Sequence, residues 1–411
     1  MAMAKHARRK AGAGAEPALG WTFLSRDALA KAKAQMDEES MGVRDEIGFL
    51  TIHQRYSDRF FPGTSVLHTR ARYALFVPWH FADLAGLTGP AAQRALQERE
   101  RVLAGRLFDA GQAQVIGGTI FPKPSSQPPS TVYWNALATW GILRPRPDGR
   151  TVSRSQAHRL LKYTGGATDD DDQPLLGYEP PFIQIPDQPK NWHSGFITLQ
   201  MEPNEAEFLR DRLSQLRRPD SHELSLLAQL ARTQTAPAAS LWSEETIAVA
   251  GSDVGAIDRA RQAASLAGIG RAIYDALLER IVEDEDKGQS MRRHRDHLAQ
   301  MVETHGSDAA SLDLAGLEQD IGALPPKLHA VMAATKAWST SSHRDLDVLL
   351  DVYIAAEARK GARARLAQTP NGRARRREWE DEADKHELAR PLHYRWGQVH
   401  RLLTDLVEVA G

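Results

Sequence analysis

Cysteine is missing from this chain altogether, which excludes disulfides, thiolate metal sites and cysteine nucleophiles in one step. No run of about 18 apolar residues occurs either, so no membrane-spanning helix is expected. The basic start lacks the apolar stretch and cleavage pattern of a signal peptide, which makes a cytoplasmic address the default. Also missing are the G-x-S-x-G nucleophile elbow, the Walker phosphate loop, the dinucleotide fingerprint and the H-E-x-x-H zinc motif. A chain so equipped is not expected to bind ATP through a phosphate loop or to drive translocation alone. Net charge is lacking too. With 52 Lys and Arg against 53 Asp and Glu the balance is −1, so the whole-protein charge carries no nucleic-acid signal.

What is present is a globular composition, 42% hydrophobic and 26% charged, in 411 residues. That length accommodates two or three domains with ample cores. The charge is segregated, with basic runs at 5–10, 292–295 and 359–377 and acidic runs at 169–172 and 283–286. Local patches are therefore open.

The chain is organised around residues 60–81, its densest aromatic and apolar block. Pro62-Gly63 signals a turn, Thr64 or Ser65 is placed to cap a helix, and the apolar spacing predicts that helix over 67–79. Pro78 should end or kink it. Arg70 and Arg72 interrupt its apolar face and read as structural, with stems over the core or heads paired to acids; the functional alternative is a phosphate clamp.

Several motifs occur in a fixed order: Gly20-Trp21, Asp45-Glu46-Ile47-Gly48, Phe60-Phe61-Pro62-Gly63-Thr64-Ser65, Thr69-Arg70-Ala71-Arg72-Tyr73, Tyr133-Trp134-Asn135-Ala136-Leu137 and Tyr394-Arg395-Trp396-Gly397-Gln398-Val399. Together they resemble a family of uncharacterised bacterial proteins, classed only as a domain of unknown function, over nearly the whole chain. The resemblance brings no activity with it. It implies a setting in phage-defence gene neighbourhoods beside helicases and phospholipase D-like nucleases, and so a DNA-directed complex.

The expected fold class is mainly α, a multidomain helical protein with minor β and a helix-turn-helix or winged-helix element in its N-terminal half. Residues 1–18 read as a disordered basic tail, 19–165 as an N-terminal helical domain, 166–204 as an acidic, proline-rich linker and 205–411 as a C-terminal helical domain. A long helix opening at Gly89-Pro90 is expected to turn a solvated Arg- and Glu-rich face outward.

Within 130–165 a helix with an apolar stripe from Val132 to Trp140 precedes a second, capped helix from Thr151. That layout suits a reader helix, with Arg154 and Gln156 at base edges and Arg159 and Lys162 on phosphate, or else an ordinary helical hairpin. Arg154, Gln156 and Arg159 should be exposed, and Trp134, Leu137 and Leu160 buried. A second DNA-contacting set is Arg373, Arg375, Arg376 and Arg377, in a run that holds no acid from 359 to 377 and otherwise reads as a solvated face.

Other chemistry is weakly signalled. Glu285-Asp286-Lys287 has a nuclease-like spacing in a helical context, His294 and His297 lack a third metal ligand, and Glu382 with His386 fits a helix salt bridge. No catalytic residue, metal or cofactor is assigned. The reading is a non-catalytic accessory or scaffold component of an anti-phage defence complex, contacting DNA or a helicase or nuclease partner and no membrane. The alternatives are a metal-dependent nuclease with dispersed acids and a purely structural scaffold without DNA contact.

Overall fold

The computed structural model describes residues 46–164, 179–219, 221–288, 291–382 and 385–410. The expected tail at 1–18 and the aspartate run at 169–172 lie outside them. Among the described residues the protein is helical without a named strand, and three isolated β-bridges supply its extended pairing. Residues Val43–Gly411 form one compact unit.

Helix α1 (Leu50–Phe60) buries Ile52, His53, Tyr56 and Phe60, the one-face spacing of an amphipathic helix. The turn after it needs glycine twice over: Gly63 has φ +79°, and a Cβ there would stand 2.8 Å from the Trp140 indole nitrogen. The next helix, α2 (Tyr73–Asp83), starts later than the spacing predicts. Residues 66–72 are instead fixed by distant partners. The Tyr133 hydroxyl accepts from the Thr69 and Arg70 amides, both at 3.2 Å, and the Asp405 carboxylate accepts from the Ala71 amide at 2.7 Å. Those bonds satisfy the backbone without a helix. From Tyr73 to Phe81 every side chain of α2 is buried, so this helix is enclosed on all sides, and Pro78 sits inside it without ending it.

Helix α3 (Gly89–Asp109) runs over α2, and the short helices α4 (Pro129–Val132) and α5 (Trp134–Thr139) follow a proline-rich loop. Helix α6 (Arg154–Thr164) then returns onto α2. Phe182, Trp192, Ile197, Leu199 and Met201 are buried, so the segment expected as linker contributes to the core over its described part.

The C-terminal half continues with α7 (Pro203–Leu213), α8 (Leu226–Thr233), α9 (Glu244–Ala248) and α10 (Val254–Asp284). At 31 residues α10 is about 46 Å long. Helix α11 (Arg293–Ser311) lies antiparallel along it, because Glu279 meets the His294 amide, Gly268 meets Met301 and Arg261 meets Asp308. Around this pair stand α12 (Leu314–Ile321), α13 (Pro326–Thr340), α14 (Asp347–Glu357) and α15 (Pro370–Asp381), while α16 (Trp396–Val407) packs on α7 and α8.

The two halves are joined by buried ion pairs. Arg72 donates to Glu205 Oε1 at 2.8 Å and to the Thr198 and Gln200 carbonyls, and Arg70 pairs with Asp405 at 2.8 Å. Arg59 and Arg218 both meet Asp253. The structural reading of Arg70 and Arg72 is therefore what the packing shows.

Candidate nucleic-acid interface

Helix α6 is anchored along one side. Ala157 and His158 are buried, with the His158 ring stacked 4.3 Å from Phe81, while Leu160, Leu161 and Trp134 are half-buried and Leu137 is fully enclosed. The Trp134 indole donates to the Val152 carbonyl at 2.9 Å, tying α5 to the start of α6. Between the two helices runs a small hairpin closed by the Pro145–Thr151 bridge, in place of the tight turn of a helix-turn-helix.

The helix begins at Arg154 rather than near Thr151, because Ser153 and Gln156 form a reciprocal cap. Gln156 Oε1 accepts from the Ser153 amide at 2.9 Å and Ser153 Oγ accepts from the Gln156 amide at 3.3 Å. Gln156 is accordingly half-buried and committed to the helix terminus, which removes it from the base-reading set.

Arg154, Arg159 and Lys162 are exposed, and Arg159 and Lys162 share one helix face with Ser155. Arg154 Nη1 donates to Thr131 Oγ1 at 2.5 Å. Partial desolvation lowers the Arg154 pKa, and the nearby Glu100 carboxylate acts in the opposite sense. Among the described residues none of these three cations pairs with a carboxylate.

The second expected set is placed differently. Arg376 is buried, with Nε 2.6 Å from Asp286 and Nη1 on the Arg365 and Ala367 carbonyls. It cannot reach a phosphate. Arg373 shares Asp286 at 2.8 Å, and Arg375 pairs with Glu378 at 2.6 Å one turn away. Arg377 is exposed. The same holds upstream, where Lys360 and Arg365 meet Glu46. This basic run is largely neutralised from within, by acids that lie far away in the sequence.

The remaining motifs also resolve into packing. Asp286 is the acceptor just described, and two arginines hold its carboxyl below the usual range, Arg376 first. The His294 amide is capped by Glu279, and His297 Nε2 lies 2.8 Å from the Ala389 carbonyl. Helix α15 stops at Asp381, so Glu382 and His386 do not share a helix; His386 is buried and stacks on Trp379 at 4.5 Å. Among the described residues no group of three or more His, Asp or Glu side chains is arranged to hold a metal ion, and no helix is long and apolar enough to cross a membrane. Gly117 lines a shallow cleft beside Gln97, Glu100, Arg101 and Lys123.

Glu100 is the residue that sequence reasoning missed. It was placed on the solvated face of α3, yet it is only 4% exposed, and its Oε1 accepts from the Ser130 amide at 2.6 Å. Burial pushes its carboxyl up to about 7, against the Ser130 bonds and Arg154. A signal existed: Ala92, Leu96, Leu103 and Leu107 form the buried stripe of α3, and Glu100 stands at the helical position between Leu96 and Leu103.

A family model described as a family of unknown function, DUF6361, matches residues 19–298. The chain belongs to this family. No curated protein and no solved structure matches it. The DUF6361 region includes the aromatic block, all of α6 and Glu100, and it ends before the arginine run at 359–377.

Proposed function

We propose that this DUF6361 protein is a non-catalytic accessory component that contacts duplex DNA through the exposed face of α6, with Arg154, Arg159 and Lys162 on the phosphate backbone. One observation carries the reading. Many arginines near the surface are engaged by carboxylates, as Arg99, Arg144, Arg259 and Arg395 are, whereas the exposed side of α6 carries three cations with no ion pair among the described residues. Unpaired cations on a rigid helix are what a phosphate backbone recruits, and a contact of this kind positions a protein without reading sequence. The assembly served is an anti-phage defence complex with helicase or nuclease subunits, a setting supported by the motif resemblance alone.

The test is the salt dependence of binding to a short duplex. Each phosphate contact contributes roughly 0.9 to the slope of log K against log salt, so Arg154→Ala, Arg159→Ala and Lys162→Ala together should flatten it by about two to three units and weaken all sequences alike. An unchanged slope in a variant with the wild-type melting curve would remove α6 from the interface. Co-purification from the native host tests the assembly, and divalent-metal-dependent cleavage of DNA by the isolated chain would overturn the non-catalytic reading.

A further inference from the structure

We infer that Glu100 is a positioning residue for the α6 face, acting on Arg154 through Ser130 and Thr131. The inference rests on the reading of α6 as the DNA contact and adds how that contact is regulated. The connection spans three elements. Glu100 sits in the buried stripe of α3 and accepts from the Ser130 amide at 2.6 Å in α4; the adjoining Thr131 accepts from Arg154 Nη1 at 2.5 Å in α6. A buried carboxylate therefore stands directly behind the first turn of the helix that presents the cations.

The charged and titratable groups facing Glu100 are Tyr73 from α2, Arg101 from its own helix, Lys123 from the loop before α4, and Arg154. Burial keeps the Tyr73 phenol protonated, and the guanidinium groups of Arg101 and Arg154 keep their charge. Glu100 alone in this group has its midpoint near neutrality, at about 7. Ionised, it draws Arg154 inward and sets a negative charge behind the face that meets phosphate. Protonated, it keeps its place in α3 and releases that attraction. DNA should then bind more tightly at pH 6 than at pH 8, by roughly three- to tenfold for one charge at this range. Burial moves the His158 ring below the usual imidazole value, which places any contribution from it at lower pH than that of Glu100.

The experiment measures duplex DNA affinity and unfolding free energy from pH 5 to 8.5 for wild type, Glu100→Gln and Thr131→Val. Glu100→Gln keeps an acceptor for the Ser130 amide and loses the charge. It should bind at pH 8 as wild type does at pH 6, with a flat profile. Thr131→Val should lose most of the pH dependence of binding while retaining that of stability, which keeps the test open if Glu100→Gln folds poorly. For stability the sign runs opposite to an ordinary carboxylate: the folded value is raised above 4.5, so the contribution is complete below that value and is lost as pH rises through about 7. Equal pH slopes of binding in wild type and Glu100→Gln would overturn the inference while leaving the DNA contact standing. Absence of DNA binding by every protein at every pH would remove the DNA reading and this role with it, even where the stability slope marks Glu100 as the titrating group.

Discussion

Arg72 shows how a charge is held inside this protein. Its guanidinium reaches Glu205 and two carbonyls, and lies 5.5 Å from the Phe76 ring centre. Removing one partner of such a pair strands the other in a poorly solvated site, so Arg72→Met should cost about 3–5 kcal/mol in urea denaturation. Glu205 also closes the cap of α7 by accepting from the Glu202 amide, a bond that Gln preserves. The double variant Arg72→Met/Glu205→Gln should therefore recover part of the loss. An equal or larger loss in the double variant would show that the carbonyl contacts, and not the stranded charge, carry the effect. Arg376→Met should cost less than Arg72→Met, because Arg373 still reaches Asp286, and it should leave the salt slope of DNA binding unchanged. Since Asp286 is held below its ordinary value, the stability it contributes is present above that value and fades as acid protonates it. In Arg376→Met that acid sensitivity should shrink.

At the scale of elements, glycines separate positions fixed by packing from positions that are free. A Cβ at Gly268 of α10 would meet Met301 at 2.9 Å and the Pro391 backbone at 3.0 Å, so Gly268→Ala should destabilise by about 1–3 kcal/mol although alanine is the better helix former. Gly397 of α16 has nothing within 4 Å, and Gly397→Ala should stabilise by about 0.4–1 kcal/mol. Thermal unfolding of both variants checks the pair, and a loss at Gly397 would contradict the open geometry. The elements themselves were largely legible from the sequence. Gly89-Pro90 announced α3 and the chain from 205 onward was expected to be helical, and in the structure Pro203 and Pro326 each lie in the first turn of a helix while Ser225 and Ser243 cap two more. Misplaced boundaries share one cause. Residues 67–72 were read as helix from local spacing, but Tyr133 and Asp405 claim the amides of 69–71 from 60 and more residues away. The site was half legible: Arg154 and Arg159 are exposed as expected, whereas the capping role of Gln156, which was expected exposed, and the burial of Glu100 depend on packing. The clasp of the arginine run by Asp286 and Glu46 could not be read at all, since no local spacing records a partner some 90 or 320 residues distant.

The compact unit Val43–Gly411 is closed by α16. Asp405 of α16 holds Arg70 and the Ala71 amide, Arg395 reaches Asp58 and the Thr64 carbonyl, and the Gln398 amide meets the Val66 carbonyl. A chain ended at residue 394 should therefore fail to fold its N-terminal half instead of losing one helix, with collapse of the near-ultraviolet dichroism from the aromatic block. Retention of that signal would show that the block folds without α16. The same closure bears on synthesis. Residues 60–81 leave the ribosome early, and the last of the partners that enclose them, Asp405 and the rest of α16, emerge more than 300 residues later, on the order of tens of seconds at ordinary elongation rates. For that interval the most apolar stretch of the nascent chain lacks part of its native cover. Newly made protein should thus be a strong client of chaperones until its final helix arrives.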